Sequence, residues 1–116
     1  GNGRLVGAPA AMYATSRGAT VTVVTKDSNN ISATKDADII ILGAGSPGLL
    51  TPEMVKEGAV VFDAGTSEEG GMLVGDAHPL VATKASLFTP VPGGIGPLTI
   101  AILLKNVLYL AKQHRK

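Results

Sequence analysis

Short apolar runs that end in glycine or a small polar residue constrain the fold of this chain more than any other feature. Such runs occupy residues 20–24, 38–42, 59–63 and 86–89, and stretches of helical composition separate them. Strands that alternate with helices form parallel sheets covered by helices. The pattern therefore predicts a single α/β domain over residues 1–116, built on a doubly wound parallel sheet.

The pattern also predicts the individual elements between these strands. The run at 38–42 is apolar at consecutive positions, so we expect a strand buried on both faces. The stretch from Leu98 to about His114 is apolar nearly all round, which predicts a largely buried helix. Further helices are predicted at 8–16, 31–36, 52–56 and 78–85, with a small hairpin arm at 72–74.

Composition limits the classes of protein to consider. Apolar residues make up 45% of the 116 residues but aromatic residues only 3%, so the core must consist of aliphatic side chains. A net charge of +1 without a basic patch argues against nucleic acid as a partner. The absence of cysteine and the presence of only two histidines argue against disulfides and a metal site.

No targeting or membrane segment is evident from the sequence. The longest apolar run, from Leu98 to Leu104, is interrupted by Thr99 and is too short to span a bilayer. No signal peptide is visible. We therefore expect a soluble, cytoplasmic protein with no membrane partner.

The first residues resemble part of a phosphate-binding fingerprint. Gly1, Gly3 and Gly7 precede a predicted helix, where a tight turn, bare backbone and the helix N-terminus suit a pyrophosphate. An ordinary glycine turn remains the alternative. The fingerprint requires a preceding strand, yet the sequence starts at its first glycine. We therefore expect a Rossmann-like sheet that lacks its first, central strand, in a fragment of a longer chain.

The ends of the later strands supply further candidate binding residues. Lys26 follows the second strand position, where a cation favours the 2′-phosphate of NADP, although the adjacent Asp27 keeps NAD possible. Residues 65–66 can present main-chain groups to a nicotinamide. The glycine-rich turn that could let a dinucleotide pass close to the backbone consists of Gly43, Ala44 and Gly45.

Titratable residues near these loops suggest structure rather than catalysis. Asp63 and Asp76 are interpreted as turn or cap carboxylates, and His78 and Lys84 as solvated surface residues. No Ser-His-Asp set or carboxylate pair stands out. We therefore predict no catalytic residue in this chain, which binds and orients its ligands.

The stretch 89–99 places three prolines and three glycines directly before the last helix. Proline stiffens the backbone and glycine lets it approach another molecule closely. Gly96 is a plausible cap and Pro97 suits the first helical position. The stretch is either a rigid connector or a stiff backbone surface that touches a ligand.

Together these residues resemble the C-terminal, nucleotide-binding half of the methylenetetrahydrofolate dehydrogenase/cyclohydrolase family. The resemblance spans nearly the whole chain, and its last piece is highly specific. The matching pieces occur in order: Val6-Gly7-x-Pro9, Ala19-Thr20-Val21-Thr22, Ala37-Asp38-Ile39, Gly45-x-Pro47-Gly48, Gly58-Ala59-Val60-Val61-x-Asp63-x-Gly65, Val74-Gly75-Asp76, and the whole of 89–99.

The resemblance implies an NADP-dependent enzyme that oxidises 5,10-methylenetetrahydrofolate and hydrolyses the methenyl product to 10-formyltetrahydrofolate. It further implies a cytoplasmic homodimer in one-carbon metabolism and purine biosynthesis. The catalytic Lys and Tyr would lie in an N-terminal domain absent here, so this chain alone should be inactive. The implied cofactor contacts are Gly1, Asn2, Gly3, Lys26, Thr66 and Thr99, and the implied folate wall is Pro92, Gly93, Gly94, Ile95, Gly96 and Pro97.

Some positions depart from the family pattern and leave other functions open. Asn2-Gly3 stands where the family has Arg or Ala followed by Ser, Thr66-Ser67 stands where it has Ile-Asn, and Thr25 replaces a His. One alternative is a nucleotide-binding regulatory module without chemistry. Another is a different Rossmann dehydrogenase, for example one that acts on amino acids. The sequence upstream of Gly1 would discriminate between the folate enzyme and the regulatory module, since a Tyr-x-x-x-Lys there favours the folate enzyme.

Overall fold

Three short parallel strands form the centre of the fold. The computed structural model describes residues 1–28 and 30–115. Strands β1 (Ile39–Leu42) and β2 (Val60–Asp63) pair in parallel, and β2 pairs in parallel with β5 (Leu87–Thr89), so that the order is β1-β2-β5. The prediction of a parallel α/β sheet is confirmed, and the carboxyl ends of all three strands lie at one edge of the sheet.

The core covers only one face of this sheet. Ile40 and Leu42 are buried, whereas Ile39 and Ile41 on the opposite face are 58% and 40% exposed. The prediction that this strand is buried on both faces is wrong, because only alternate residues of β1 are buried in the described chain. The remaining buried apolar residues are Leu50, Val55, Ala59, Val61, Ala77 and Val81.

Within residues 1–28 and 30–115, two α-helices and three 3₁₀ helices accompany the sheet. Helix α1 (Gly7–Ser16) lies against β1, and 3₁₀ helices occupy Ile31–Asp36, Pro52–Met54 and Pro79–Thr83. The short helices are therefore present near their predicted positions but with the tighter 3₁₀ winding. Runs of only a few residues adopt this form readily, since they gain few i to i−4 hydrogen bonds.

A small antiparallel hairpin follows β2. It consists of β3 (Ser67–Glu69) and β4 (Met72–Val74), joined by Gly70 and Gly71. The two glycines have φ angles of 58° and 79°, which a two-residue hairpin turn requires and which side chains disfavour. The predicted hairpin arm is confirmed.

The predicted strand at residues 20–24 is absent. These residues form no strand pairing in the described chain, and Val21 and Val23 are 37% and 40% exposed. Their β-branched side chains favour extended backbone, but a strand also needs a hydrogen-bonded neighbour. Strand β1 likewise has a partner on one side only. Two unpaired neighbours are what we expect if a strand between them is missing.

The last helix, α2 (Ile95–Gln113), contains no buried residue. From Leu98 to Leu110 its large apolar side chains are 53–63% exposed, so the prediction that it is largely buried is wrong for this chain. The apolar pattern predicts the helix itself, but the described chain leaves these apolar side chains exposed. By length and composition α2 could cross a membrane, unlike the shorter run from Leu98 to Leu104, although a helix that packs on other protein passes the same test.

Candidate functional site

The first glycine loop lies directly beside the end of β1. A side chain on Gly7 would overlap the carbonyl oxygen of Gly1, and a Cβ on Gly43 would lie 2.9 Å from Cγ1 of Val6. A Cβ on Gly1 would itself lie 3.2 Å from the carbonyl oxygen of Gly43. Glycine is therefore needed here for close backbone approach, and the loops at 1–7 and 43–46 form one surface.

This surface ends at the N-terminus of α1 and carries exposed main chain. Asn2 and Gly3 are exposed, and a Cβ on Gly3 would meet no atom within 4 Å. The first turn of α1 contains no acidic residue, and the Val6 cap position supplies no side-chain hydrogen bond. The positive end of the helix dipole is therefore uncompensated, which suits an anionic group such as a phosphate.

The end of β2 is organised by a buried carboxylate. Asp63 is 1% exposed, and its carboxylate accepts hydrogen bonds from the backbone N–H groups of Gly65 (2.9 Å), Asp76 (3.1 Å) and Ala77 (2.8 Å). Its own N–H donates to Oγ1 of Thr89 at 2.8 Å, which ties the end of β2 to the end of β5.

A second buried carboxylate continues this network to the end of β1. Asp76 is fully buried, and its carboxylate accepts hydrogen bonds from the N–H groups of Ala44 (2.6 Å), Gly45 (3.2 Å) and Ser46 (2.7 Å). All three hydrogen bonds come from main-chain N–H groups, as they do at Asp63. The interpretation of both aspartates as structural carboxylates is confirmed.

The sequence did not reveal which loops these carboxylates join. The sequence signal for these contacts is the glycine that lies against each buried aspartate. A Cβ on Gly65 would lie 2.6 Å from both N and Oδ1 of Asp76. A Cβ on Gly75 would overlap the carboxylate of Asp63. Backbone without side chains is therefore required at both positions for the carboxylates to reach their donors.

A cleft of about 400 Å³ lies beside this network. Its walls include Pro90 and Val91 but none of the six predicted folate-wall residues. Of those six, Gly94 and Ile95 are half-buried, because Gly94 packs on the carbonyl oxygen of Pro90, and the others are exposed. The remaining cleft residues are Pro47, Gly48, Asp63, Glu69, Val74, Gly75, Ala77, His78, Pro79 and Phe88.

Three predicted cofactor residues lie outside the hydrogen-bond network. Thr66 is exposed and follows the buried Gly65. The hydroxyl of Thr99 donates to the carbonyl of Ile95 at 3.1 Å within α2. Lys26 is exposed in a turn whose hydrogen bonds, in the described part of the chain, are local ones between Thr25 and Ser28.

The charged residues farther from the strand ends have structural contacts. His78 is exposed and its Nδ1 accepts from the N–H of Leu80, as expected for a surface turn residue. Lys84 is half-buried and donates to the carbonyl of Val55 at 3.3 Å, so the prediction that it is solvated is wrong.

Four glycine-containing loops, at 1–7, 43–46, 63–66 and 75–77, thus lie in contact near the carboxyl ends of β1 and β2. A parallel α/β sheet whose carboxyl ends carry such loops, with an uncompensated helix N-terminus beside them, defines a Rossmann-like, dinucleotide-binding class of domain. The model of the tetrahydrofolate dehydrogenase/cyclohydrolase NAD(P)-binding domain matches residues 1–115. The chain therefore belongs to the tetrahydrofolate dehydrogenase/cyclohydrolase family and corresponds to its NAD(P)-binding domain.

Individual relatives show the same relationship. The chain is 48% identical to the bifunctional protein FolD 2 of Lactobacillus johnsonii and 49% identical to the bifunctional protein FolD of Campylobacter hominis, covering 98% and 100% of itself. In both comparisons it spans 42% of the relative's length.

Solved structures agree with the sequence relatives. The bifunctional FolD methylenetetrahydrofolate dehydrogenase/cyclohydrolase of Campylobacter jejuni superposes with a TM-score of 0.91 at 44% identity, over 97% of this chain and 41% of that one. The Trypanosoma brucei enzyme, crystallised with NADP and an inhibitor, has a TM-score of 0.85 at 38% identity, over 97% of this chain and 42% of that one.

Proposed function

We propose that this chain is the NADP-binding part of a bifunctional enzyme that oxidises 5,10-methylenetetrahydrofolate and hydrolyses the methenyl product to 10-formyltetrahydrofolate. One observation carries the proposal: the glycine-containing loops at 1–7 and 43–46 meet beside the N-terminus of α1, in a chain that matches the family's NAD(P)-binding domain over residues 1–115. A Trypanosoma brucei relative crystallised with NADP supports the choice of cofactor.

The proposed cofactor site begins at the first loop. The exposed main chain of Gly1, Asn2 and Gly3, beside the N-terminus of α1, would hold the phosphates. Lys26 would face the 2′-phosphate of the adenosine ribose, where a cation favours NADP over NAD. The bound NADP would supply the hydride acceptor, and this chain would supply its orientation.

The later loops would hold the nicotinamide and the folate. Thr66 would contact the nicotinamide through its backbone and Thr99 through its side chain. Residues 92–97 would form one wall of the folate site, where stiff backbone presses the substrate against the nicotinamide. Holding two reactants in register is a large source of rate acceleration, so orientation would be this chain's main contribution. The catalytic Lys and Tyr would come from the rest of the enzyme.

A dinucleotide titration of the full-length protein containing this chain tests the function. We expect NADP to bind more tightly than NAD, and 5,10-methylenetetrahydrofolate to be oxidised only with the dinucleotide present. Replacing Lys26→Ala should weaken NADP binding about tenfold and leave NAD binding unchanged, because only NADP carries the 2′-phosphate. Lys35→Ala, at another exposed lysine, is the matched control.

Two results would contradict this proposal at different points. Equal affinity for NADP and NAD, unchanged by Lys26→Ala, would refute the role of Lys26. Dinucleotide binding without oxidation of 5,10-methylenetetrahydrofolate would refute the enzymatic function and favour the nucleotide-binding module without chemistry.

We further propose that the full-length protein is a cytoplasmic homodimer that supplies one-carbon units for purine biosynthesis. The support is the family membership alone. Size-exclusion chromatography with light scattering would show twice the monomer mass if the dimer is correct, and a monomer would refute it.

A further inference from the structure

We propose that Asp76 is a positioning residue that holds the glycine loop at residues 44–46 against the dinucleotide. This inference deepens the proposed function and rests on it for the identity of the ligand. The role differs from a direct ligand contact, because Asp76 is fully buried and its carboxylate bonds only to the protein's own backbone.

The geometry assigns the three N–H groups of this loop to Asp76. One carboxylate oxygen accepts from Ala44 and Gly45 at 2.6 and 3.2 Å, and the other accepts from Ser46 at 2.7 Å. A carboxylate that accepts several N–H groups forms stronger bonds than a neutral acceptor would. Three successive amides are thereby fixed in one orientation, pointing inward.

This arrangement limits what the loop can offer a ligand. Since the N–H groups of residues 44–46 are already bonded to a negative carboxylate, they are unavailable to a phosphate. The loop presents its carbonyl oxygens and Cα atoms instead, which suit ribose hydroxyls and apolar ring faces. The phosphates are left to the first loop, where Gly3 is exposed and the helix N-terminus is uncompensated.

Asp76 is itself held in place by Asp63. The carboxylate of Asp63 accepts from the N–H of Asp76 at 3.1 Å and of Ala77 at 2.8 Å, and the N–H of Asp63 donates to Thr89 at 2.8 Å. The chain of contacts therefore runs from the end of β5, through β2, to the loop after β1. Asp63 sets the position of Asp76, and Asp76 sets the loop.

Amide hydrogen exchange in the full-length protein without ligand is the first test. We expect slow exchange at residues 44–46, including Gly45, whose exposure to solvent would otherwise make its amide exchange rapidly. Adding NADP should slow exchange at residues 2–8 and change residues 44–46 little. Rapid exchange at 44–46 without ligand, or large new protection there with NADP, would overturn the proposal.

Substitution of the carboxylate is the second test. An amide in Asp76→Asn has one acceptor oxygen instead of two, so at least one loop N–H loses its partner. We expect faster exchange at residues 44–46 and a rise of about tenfold in the KM for NADP, while kcat changes less than about threefold. Asp36→Asn, the same change at an exposed aspartate, should alter neither.

The outcomes separate positioning from a purely structural role. A lower melting temperature with unchanged KM and exchange in Asp76→Asn would overturn the proposal. If this variant does not fold, Thr89→Val, which removes only the acceptor for the Asp63 N–H, should raise the KM for NADP in the same direction, and an unchanged KM would count against the relay. If the unaltered protein binds no NADP, the proposed function fails, yet the exchange data still decide whether Asp76 holds the loop.

Discussion

At the scale of single residues, two buried aspartates replace the regular backbone pairing that loops lack. Asp63 and Asp76 together accept six backbone N–H groups from residues that follow or flank the strand ends. A buried N–H without a partner costs about 1–3 kcal/mol, so the carboxylate of Asp63, whose three donors belong to buried residues, stabilises several otherwise costly groups. This requires Gly65 and Gly75, because any side chain there would occupy the space of a carboxylate.

Replacing Gly65→Ala in the full-length protein should lower the free energy of unfolding by about 1–3 kcal/mol. The added Cβ would lie 2.6 Å from N and Oδ1 of Asp76, so the carboxylate must move away from its donors. Urea denaturation measures the change. Gly96→Ala is the matched control, since its Cβ would meet no atom within 4 Å. Equal stability of the two variants would contradict the packing described here.

The exposed ion pair between Lys56 and Asp38 should give a small, pH-dependent contribution. The hydrogen bond and charge of Lys56 lower the pKa of Asp38. The contribution is therefore present above the ordinary aspartate pKa of about 3.9 and is lost as the pH falls through the lower folded-state value. Because both side chains are exposed, solvent screens the pair and its effect is modest.

Lys56→Met should thus lower the melting temperature of the full-length protein slightly at pH 7 and low salt. The difference from the unaltered protein should shrink as the pH falls below the ordinary aspartate pKa and through the lower folded-state value, and as salt is added. Lys35→Met serves as the control. A difference that persists at low pH would show that Lys56 acts through its packing rather than its charge.

At the scale of elements, the hairpin and α2 show how differently local and tertiary signals determine structure. The β3–β4 hairpin needs only its turn, and Gly70 and Gly71 supply the positive φ angles. Helix α2 forms over 19 residues but buries none of them, because its apolar sides require a partner that the described chain does not provide. Its sequence determines helicity, whereas burial depends on what surrounds it.

Replacing Gly70→Val should unfold the hairpin locally while leaving the sheet intact. A β-branched residue at a φ of 58° is strained by about 1–2 kcal/mol, which is large for a hairpin of this size. Hydrogen exchange should speed up at β3 and β4 but not at β2. Gly70→Asn, which tolerates this conformation, should keep the hairpin protected, and loss of protection in both variants would contradict the turn assignment.

At the scale of the whole molecule, the described chain buries only one face of β1 and pairs this strand along only one edge. The core lies on one face of β1, the other face and the edge of β1 are uncovered, and residues 20–24 have no strand partner in the described chain. Large exposed apolar patches favour association with other protein. The free energy of unfolding of a small domain is only about 5–15 kcal/mol, so uncovered apolar surfaces and unpaired strand edges of this kind reduce a large part of it.

The 116-residue chain expressed alone should therefore self-associate and unfold without a sharp transition. Size-exclusion chromatography and calorimetry at several protein concentrations measure both properties. The full-length protein, in which we expect these surfaces to be covered, is the control and should unfold cooperatively. A monomeric chain with a sharp calorimetric peak would refute this prediction.

The sequence by itself determined the class of fold, the hairpin, the helical nature of α2 and the family, because periodicity, turn chemistry and the 89–99 motif are local. Only the tertiary structure decided which loops meet: the three bonds from Asp76 to residues 44–46 join positions about thirty residues apart, and no local pattern encodes that choice. The tertiary structure also decided which elements are buried. Residues 20–24 and α2 have the composition of buried elements, but a strand needs a ladder partner and an apolar helix needs a covering surface, and both are properties of the surrounding structure.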